Sequence, residues 1–230
     1  MSKVILLGAG ASIQEGINLG LWDQIRDREK WSLNSIFKIM PYLPNRQMWV
    51  DIDFLDHNID AMQDLHSKGV PLFSKRFGHH KKYAYLEHKN IITQYDTTRE
   101  IDKYYGQDAI KKNLIYYGEM GLCGMFALSL AVAEGYTDIF LLGYDFGSQS
   151  LGNKMTHVYQ ENMAKLSIHS SGAGRPEVYR LPKGELRREI GNFQVYLKET
   201  NINIYNVGLE SNIPYFPKLL WGEFFGKLSN

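Results

Sequence analysis

Gly8-Ala9-Gly10-Ala11-Ser12 follows directly on the apolar run Val4 to Leu7. Side chains this small let a backbone approach a phosphate, and the free N–H groups of a helix starting here would face it. Ser12 could cap that helix and hold a phosphate oxygen. The pattern fits neither well-defined phosphate loop. Ile13 stands where a dinucleotide fingerprint needs its third glycine, no acidic residue closes a second strand to take a ribose, and no Gly-Lys-Ser/Thr follows. A tight β-to-α turn without a ligand is the competing reading.

Asp145, in Gly143-Tyr144-Asp145-Phe146-Gly147, comes just after the apolar run Ile139 to Leu142. It therefore falls at the carboxyl end of a strand, where open α/β sheets bind ligands. An Asp in that place also serves simply to accept turn N–H bonds. His157 lies a dozen residues further on, within reach of the same sheet edge. An imidazole with its ordinary pKa near ~6.5 suits removal of a proton from an attacking hydroxyl. His169 is a second candidate of that kind, and an ordinary surface histidine is the alternative for both. His79 and His80 belong to a basic cluster.

Asp51-Ile52-Asp53 would place two carboxylates on one face of a strand, able to hold a divalent cation beside a nucleotide diphosphate. No metal is assigned on that pair alone, and Asp53 is placed with the nucleotide-binding candidates. Cys123, beside Gly124, sits at a helix start, a position that lowers a thiol pKa, although a small cysteine in an apolar helix also serves as packing. The cluster Lys75 to Lys82, with Phe77, Tyr83 and Tyr85, reads as a solvated loop. Its other reading is a contact to the phosphates and bases of a nucleic-acid acceptor.

These residues need a scaffold, and 230 residues suffice for one domain with a sizeable core. Twenty-six Lys and Arg balance 25 Asp and Glu, so the whole-molecule field steers toward neither nucleic acid nor anionic membrane. A single cysteine excludes an intrachain disulfide and a multi-cysteine metal cluster, and suits a reducing compartment. The first residues are too short and wrongly flanked for a signal peptide, and no apolar run reaches the ~20 residues of a membrane span. A cytoplasmic location is expected.

Val4 to Leu7 reads as a strand buried on both faces of a parallel sheet. A helix is expected over residues 13 to 28, broken near Gly16 and Gly20, then strands over 35 to 40 and 49 to 54. A helix over 56 to 65 and a strand over 70 to 73 follow. The polar, Tyr-rich stretch 74–117 reads as an insertion. Gly121 to Gly135 reads as an apolar helix and Ile139 to Gly143 as a buried strand. Residues 148–184 read as a lid loop with a short helix near 160 to 166. A helix over 185 to 198 and a final strand over 202 to 207 complete the chain. Trp221, Phe224 and Phe225 read as exposed aromatics that pack either between subunits of a homo-oligomer or as an internal clamp.

Three segments, Val4 to Ser12, Gly121 to Phe146 and Ile202 to Ile213, resemble in order the bacterial sialyltransferase family typified by the Campylobacter lipooligosaccharide enzymes, and the related Maf-type and MptE-like Rossmann proteins. Ala11 replaces the usual proline of the first motif, and Cys123 stands at the serine of the second. The resemblance implies a single Rossmann-like α/β domain over 1–230: an open, mostly parallel sheet, a GT-A-like variant, with helices on both faces. It also implies a metal-independent glycosyltransferase whose donor pocket includes Gly8, Gly10, Ser12, Cys123, Gly124 and Asp145; Ala9 and Ala11 complete the glycine turn. The family histidine ahead of the last helix has no counterpart near Lys183 and Gly184, and Gly147 takes the first place of the assisting tyrosines. His157 then becomes the candidate base. No cofactor is expected, the nucleotide sugar being a substrate, and the acceptor hydroxyl belongs to a glycan or a modified DNA base. Two other readings stand: an Mg-dependent diphosphotransferase of the MptE-like type, and a non-catalytic nucleotide-binding module.

Overall fold

The computed structural model describes residues 2–10, 12–78, 80–98, 111, 114–116, 122–144, 201–208 and 216–229. Strand β1 (Lys3–Leu7) lies where the apolar run demands it. Val4 and Leu6 enter the core on one face of the sheet, while Ile5 and Leu7 enter the core on the other. That double burial requires a central strand. Helices α1 (Ile13–Asn18) and α2 (Leu21–Ile25) replace one long helix, because Gly20 takes φ +84 between them. Gly16 causes no break: it stays inside α1, where the indole of Trp221 occupies the space a side chain would need.

The second strand is not over 35 to 40. Strand β2 is Lys30–Leu33, and Asn34–Ile39 is a 3-10 helix whose Ile36 and Ile39, one turn apart, both face the same core. Polarity hid β2. Lys30 is buried because its Nζ donates to the Arg26 and Arg28 carbonyls at 2.8 and 3.1 Å, and Ser32 donates to Gln47 Oε1 at 2.7 Å. Buried polar groups are tolerated when paired in this way.

Strand β3 (Arg46–Trp49) ends before Asp51, so Asp51 and Asp53 do not share a strand face. They lie in the turn leading into α3 (Phe54–Ser67). The expected insertion contributes sheet. Strand β4 (Leu72–Lys75), helix α4 (Lys81–His88), strand β5 (Thr93–Thr98) and strand β6 (Leu114–Tyr116) extend it outward. Within the basic cluster, Arg76 pairs with Glu87 and Asp96, and Lys82 pairs with Asp56, so these two cations are neutralised locally.

Helix α5 (Cys123–Ala133) and strand β7 (Asp138–Leu142) agree with the expected pair. Strand β8 (Asn203–Val207) is not the last, because β9 (Lys218–Leu219) pairs beside it before helix α6 (Trp221–Ser229). Among the described residues the nine strands run parallel in the order β6-β5-β4-β3-β2-β1-β7-β8-β9. This is an open α/β sheet of Rossmann type. Helix α5 packs on one face, with Val4, Leu6, Met48, Ile139 and Ile204. On the other face α1, α2 and α6 cover the β1, β7 and β8 side, and α3 and α4 cover the β3 and β4 side. No helix among the described residues is long and apolar enough to cross a membrane.

Trp221 and Phe224 are 3% and 0% exposed, so these C-terminal aromatics clamp the chain's own core rather than waiting on its surface. Phe224 lies edge-on to Phe140 at 5.2 Å. A methyl at position 16 must displace the buried Trp221 ring, so Gly16→Ala should cost about 1–3 kcal/mol in urea unfolding, partly recovered by adding Trp221→Leu. Gly222→Ala on the exposed side of α6, where a Cβ meets open space, should leave the midpoint unchanged or raise it.

Candidate functional site

The strand order reverses at β1: the chain leaves it toward β2 on one side, while β7 docks on the other. Above the carboxyl ends of two such strands the connections diverge and leave a crevice, the usual ligand position of an open α/β sheet. Here the two turns leaving β1 and β7 meet. The Gly8 amide donates to the Leu142 carbonyl at 2.7 Å, and the Gly10 amide donates to the Gly143 carbonyl at 2.9 Å.

Their contact explains the glycines. A Cβ on Gly8 would lie 2.6 Å from the Gly143 oxygen, and a Cβ on Gly143 would lie 2.5 Å from the Gly8 oxygen. Gly143 also takes φ +68, which favours glycine. The ring of Tyr144 then fills the space left open at two glycines, with Cδ2 3.2 Å from a Cβ on Gly8 and Cε1 2.7 Å from one on Gly124. The Tyr144 hydroxyl donates to the Gly124 carbonyl at 3.4 Å. Burial raises the phenol pKa well above its ordinary value, with the Cys123 thiol adding to the effect.

The fold therefore brings Gly8, Gly124 and Gly143 together around one ring, with Cys123 at the start of α5 beside them. Two turn amides, of Gly8 and Gly10, are committed to β7 and are not free to cradle a phosphate. Ala9 and Gly10 are half-buried, and Ser12 is buried at the N-cap position of α1 without a side-chain capping bond. The small residues at 8 and 143 serve the crossing of two backbones. Ala11, Asp145, His157 and His169, and the 148–184 stretch, lie outside the described residues.

Cys123 is buried, and its Sγ donates to the Met48 carbonyl at 3.7 Å. Burial pushes its thiol pKa up, with the Asp51 charge adding and the Asn34 backbone opposing. The lowering expected of a helix start is overturned: desolvation outweighs the partial charge of the helix end. Asp51 has its pKa raised, first because surrounding protein strips water from the carboxyl and then by Asp53, while Lys75 opposes. Asp53 stands at the N-cap position of α3 without a capping bond, its carbonyl accepting from His57 Nδ1 at 2.8 Å. Among the described residues no group of three or more His, Cys, Asp and Glu is placed to hold a metal ion.

One residue of this edge escapes sequence reasoning. Asn34 ends β2 with φ +51, its carbonyl accepts from Gln47 Nε2 at 2.8 Å, and its side-chain Oδ1 is buried without a hydrogen-bond partner. A buried acceptor of this kind costs free energy until a donor reaches it. The available signal was the type: asparagine is among the few residues that enter the left-handed region readily.

Gly143→Ala combines a positive φ with a backbone collision, so it should lower stability by about 3 kcal/mol or more, read by urea unfolding. Cys123 should react slowly with iodoacetamide in the native state and at a normal rate in urea. The folded state keeps its thiol protonated where the unfolded chain, with a pKa near ~8.5, has released it. Folding thus binds the extra proton, and stability should fall as pH rises above ~8.5, by at most ~1.4 kcal/mol per unit from this group. That component of the slope should vanish in Cys123→Ala.

No protein-family model matches the sequence, and no curated protein matches it. Among solved structures, a variant of the sialyltransferase CST-II in complex with CMP aligns with TM-score 0.59 at 15% identity, covering 95% of this chain and 86% of that one. CstII from Campylobacter jejuni in complex with the substrate analogue CMP-3FNeuAc aligns with TM-score 0.54 at 14% identity and the same coverage. Monomeric CstII aligns over 99% of both chains with TM-score 0.52 and 16% identity. At these identities the likeness is one of architecture: this chain has a sialyltransferase-like, Rossmann-type fold.

Proposed function

We propose that this protein is a glycosyltransferase that moves a sugar from a nucleotide-sugar donor to a hydroxyl acceptor, a glycan or a modified DNA base. The observation that carries the reading is the meeting of the turns that leave β1 and β7 at the reversal of strand order, where open α/β sheets bind ligands, with Tyr144, Cys123 and Asn34 beside it. CstII, whose fold the chain shares, is a sialyltransferase that has been solved in complex with CMP and with CMP-3FNeuAc, which supports a cytidine nucleotide in the equivalent crevice. The unpartnered Asn34 Oδ1 suits a ribose hydroxyl or a base amino group.

In the proposed reaction the acceptor oxygen attacks the anomeric carbon, His157 takes its proton, and the bond from that carbon to the nucleotide phosphate breaks. The electron pair leaves with the phosphate. Asp145, the residue after Tyr144, is assigned to the ribose or the sugar, and Asp53 to the outer part of the donor site. The reaction is assigned no metal. A cytoplasmic setting suits the lone buried thiol and an activated nucleotide sugar.

Thermal-shift measurements with CMP, UDP and GDP, and with their sugars, with and without magnesium, test this directly. Stabilisation by a CMP- or UDP-type ligand without magnesium is expected, and Asn34→Ala should reduce it. Dependence on magnesium would favour diphosphate transfer instead, and binding without turnover of any donor would favour a nucleotide-sequestering module. No shift with any nucleotide would overturn the reading.

A further inference from the structure

Helix α4 is anchored to the turn 51–53, on the same carboxyl edge of the parallel sheet as the turns that leave β1 and β7. Tyr83 is 1% exposed, its hydroxyl donates to the Ile52 carbonyl at 3.0 Å, and Trp49 Nε1 donates to that hydroxyl at 3.0 Å. Lys82 pairs with Asp56 of α3, and Phe77 packs on Tyr83 with ring centroids 4.3 Å apart. These anchors tie the inner side of the helix to the turn 51–53 that leaves β3.

The outer side is different. Lys81, Tyr85 and Lys89 follow at four-residue spacing, so they share one face over ~12 Å of helix, and all three are exposed. Tyr85, at 59% exposure, is the most exposed large hydrophobic side chain among the described residues, and Lys89 Nζ stands 5.8 Å from its ring centroid. Neither lysine has an ion-pair partner among the described residues, whereas neighbouring Arg76 and Lys82 do. His88 adds a further polar group to that side.

We infer that this face docks an acidic oligosaccharide, the acceptor of the transfer proposed above, with a sugar ring on Tyr85 and carboxylates on Lys81 and Lys89. The inference rests on that proposed function. Charge complementarity selects an anion, and the flat exposed ring selects a ligand with an apolar ring face. A nucleic acid is the weaker fit: non-specific binding to it builds on about 6–10 phosphate contacts, and only two lysines stand on this face. Arg76 and Lys82, which would have extended the basic tract, are spent on carboxylates.

The test is calorimetric titration of the full chain with trigalacturonate, maltotriose and a short oligothymidylate, at low and high salt. Trigalacturonate should bind, more weakly at high salt, and maltotriose should not. Tyr85→Ala and the double change Lys81→Gln, Lys89→Gln should each weaken trigalacturonate by about tenfold. The melting temperature and the CMP-induced thermal shift should stay as in the parent protein. Failure of trigalacturonate to bind, equal binding of maltotriose, indifference to the Tyr85 and lysine changes, or tighter binding of oligothymidylate through these residues would each overturn the inference. If CMP still stabilises the protein in that case, the docking inference alone fails. If no nucleotide does, the proposed function fails with it.

Discussion

The carboxyl edge of the sheet at β1 and β7 depends on the ring of Tyr144 occupying space that no side chain takes at Gly8 or Gly124. Three segments distant in sequence, the turn after β1, the first turn of α5 and the turn after β7, meet on that ring. The reciprocal approach of the Gly8 and Gly143 backbones and the hydrogen bond from the Gly10 amide to the Gly143 carbonyl then hold the tops of β1 and β7 together. Protein interiors are packed too densely to absorb an added methyl at such a contact without a shift elsewhere. The geometry of this junction is therefore written in residues that have almost no side chain.

That constraint also separates what the residues revealed from what they concealed. Val4 to Leu7 and Ile139 to Leu142 are apolar without interruption, and a buried parallel strand is what such a run becomes. The glycines at 8, 10, 124 and 143 announce themselves by type and place, but a phosphate and a neighbouring backbone demand the same small residue. The backbone contact shows only in the coordinates, because the partner of Gly8 lies in β7.

The outer strands were harder to recognise for a different reason. Lys30, Ser32, Gln47 and Gln94 are polar, yet each is buried, and their hydrogen bonds link neighbouring strands and loops. A pattern of hydrophobicity cannot register a polar residue whose partner comes from elsewhere in the chain. Asn34 was concealed by the same logic. Its importance comes from a positive φ and a buried oxygen, and neither shows in its spacing from other residues. The turn 51–53 shows the converse error, since alternation of Asp, Ile and Asp imitates a strand whose ladder has already ended at Trp49.

The route of the chain carries a consequence for its synthesis. Lys3 pairs with Asp138 and Leu7 with Leu142, while β1 already has β2 beside it by Leu33. A ribosome adding about 5–20 residues per second would need roughly 5–20 s to make the ~100 residues that separate these events. Throughout that interval the most apolar strand of the nascent protein presents an open edge, able to pair with whatever strand arrives first. The late arrival of β7 leaves the junction between the two turns unmade until more than half of the chain has been synthesised.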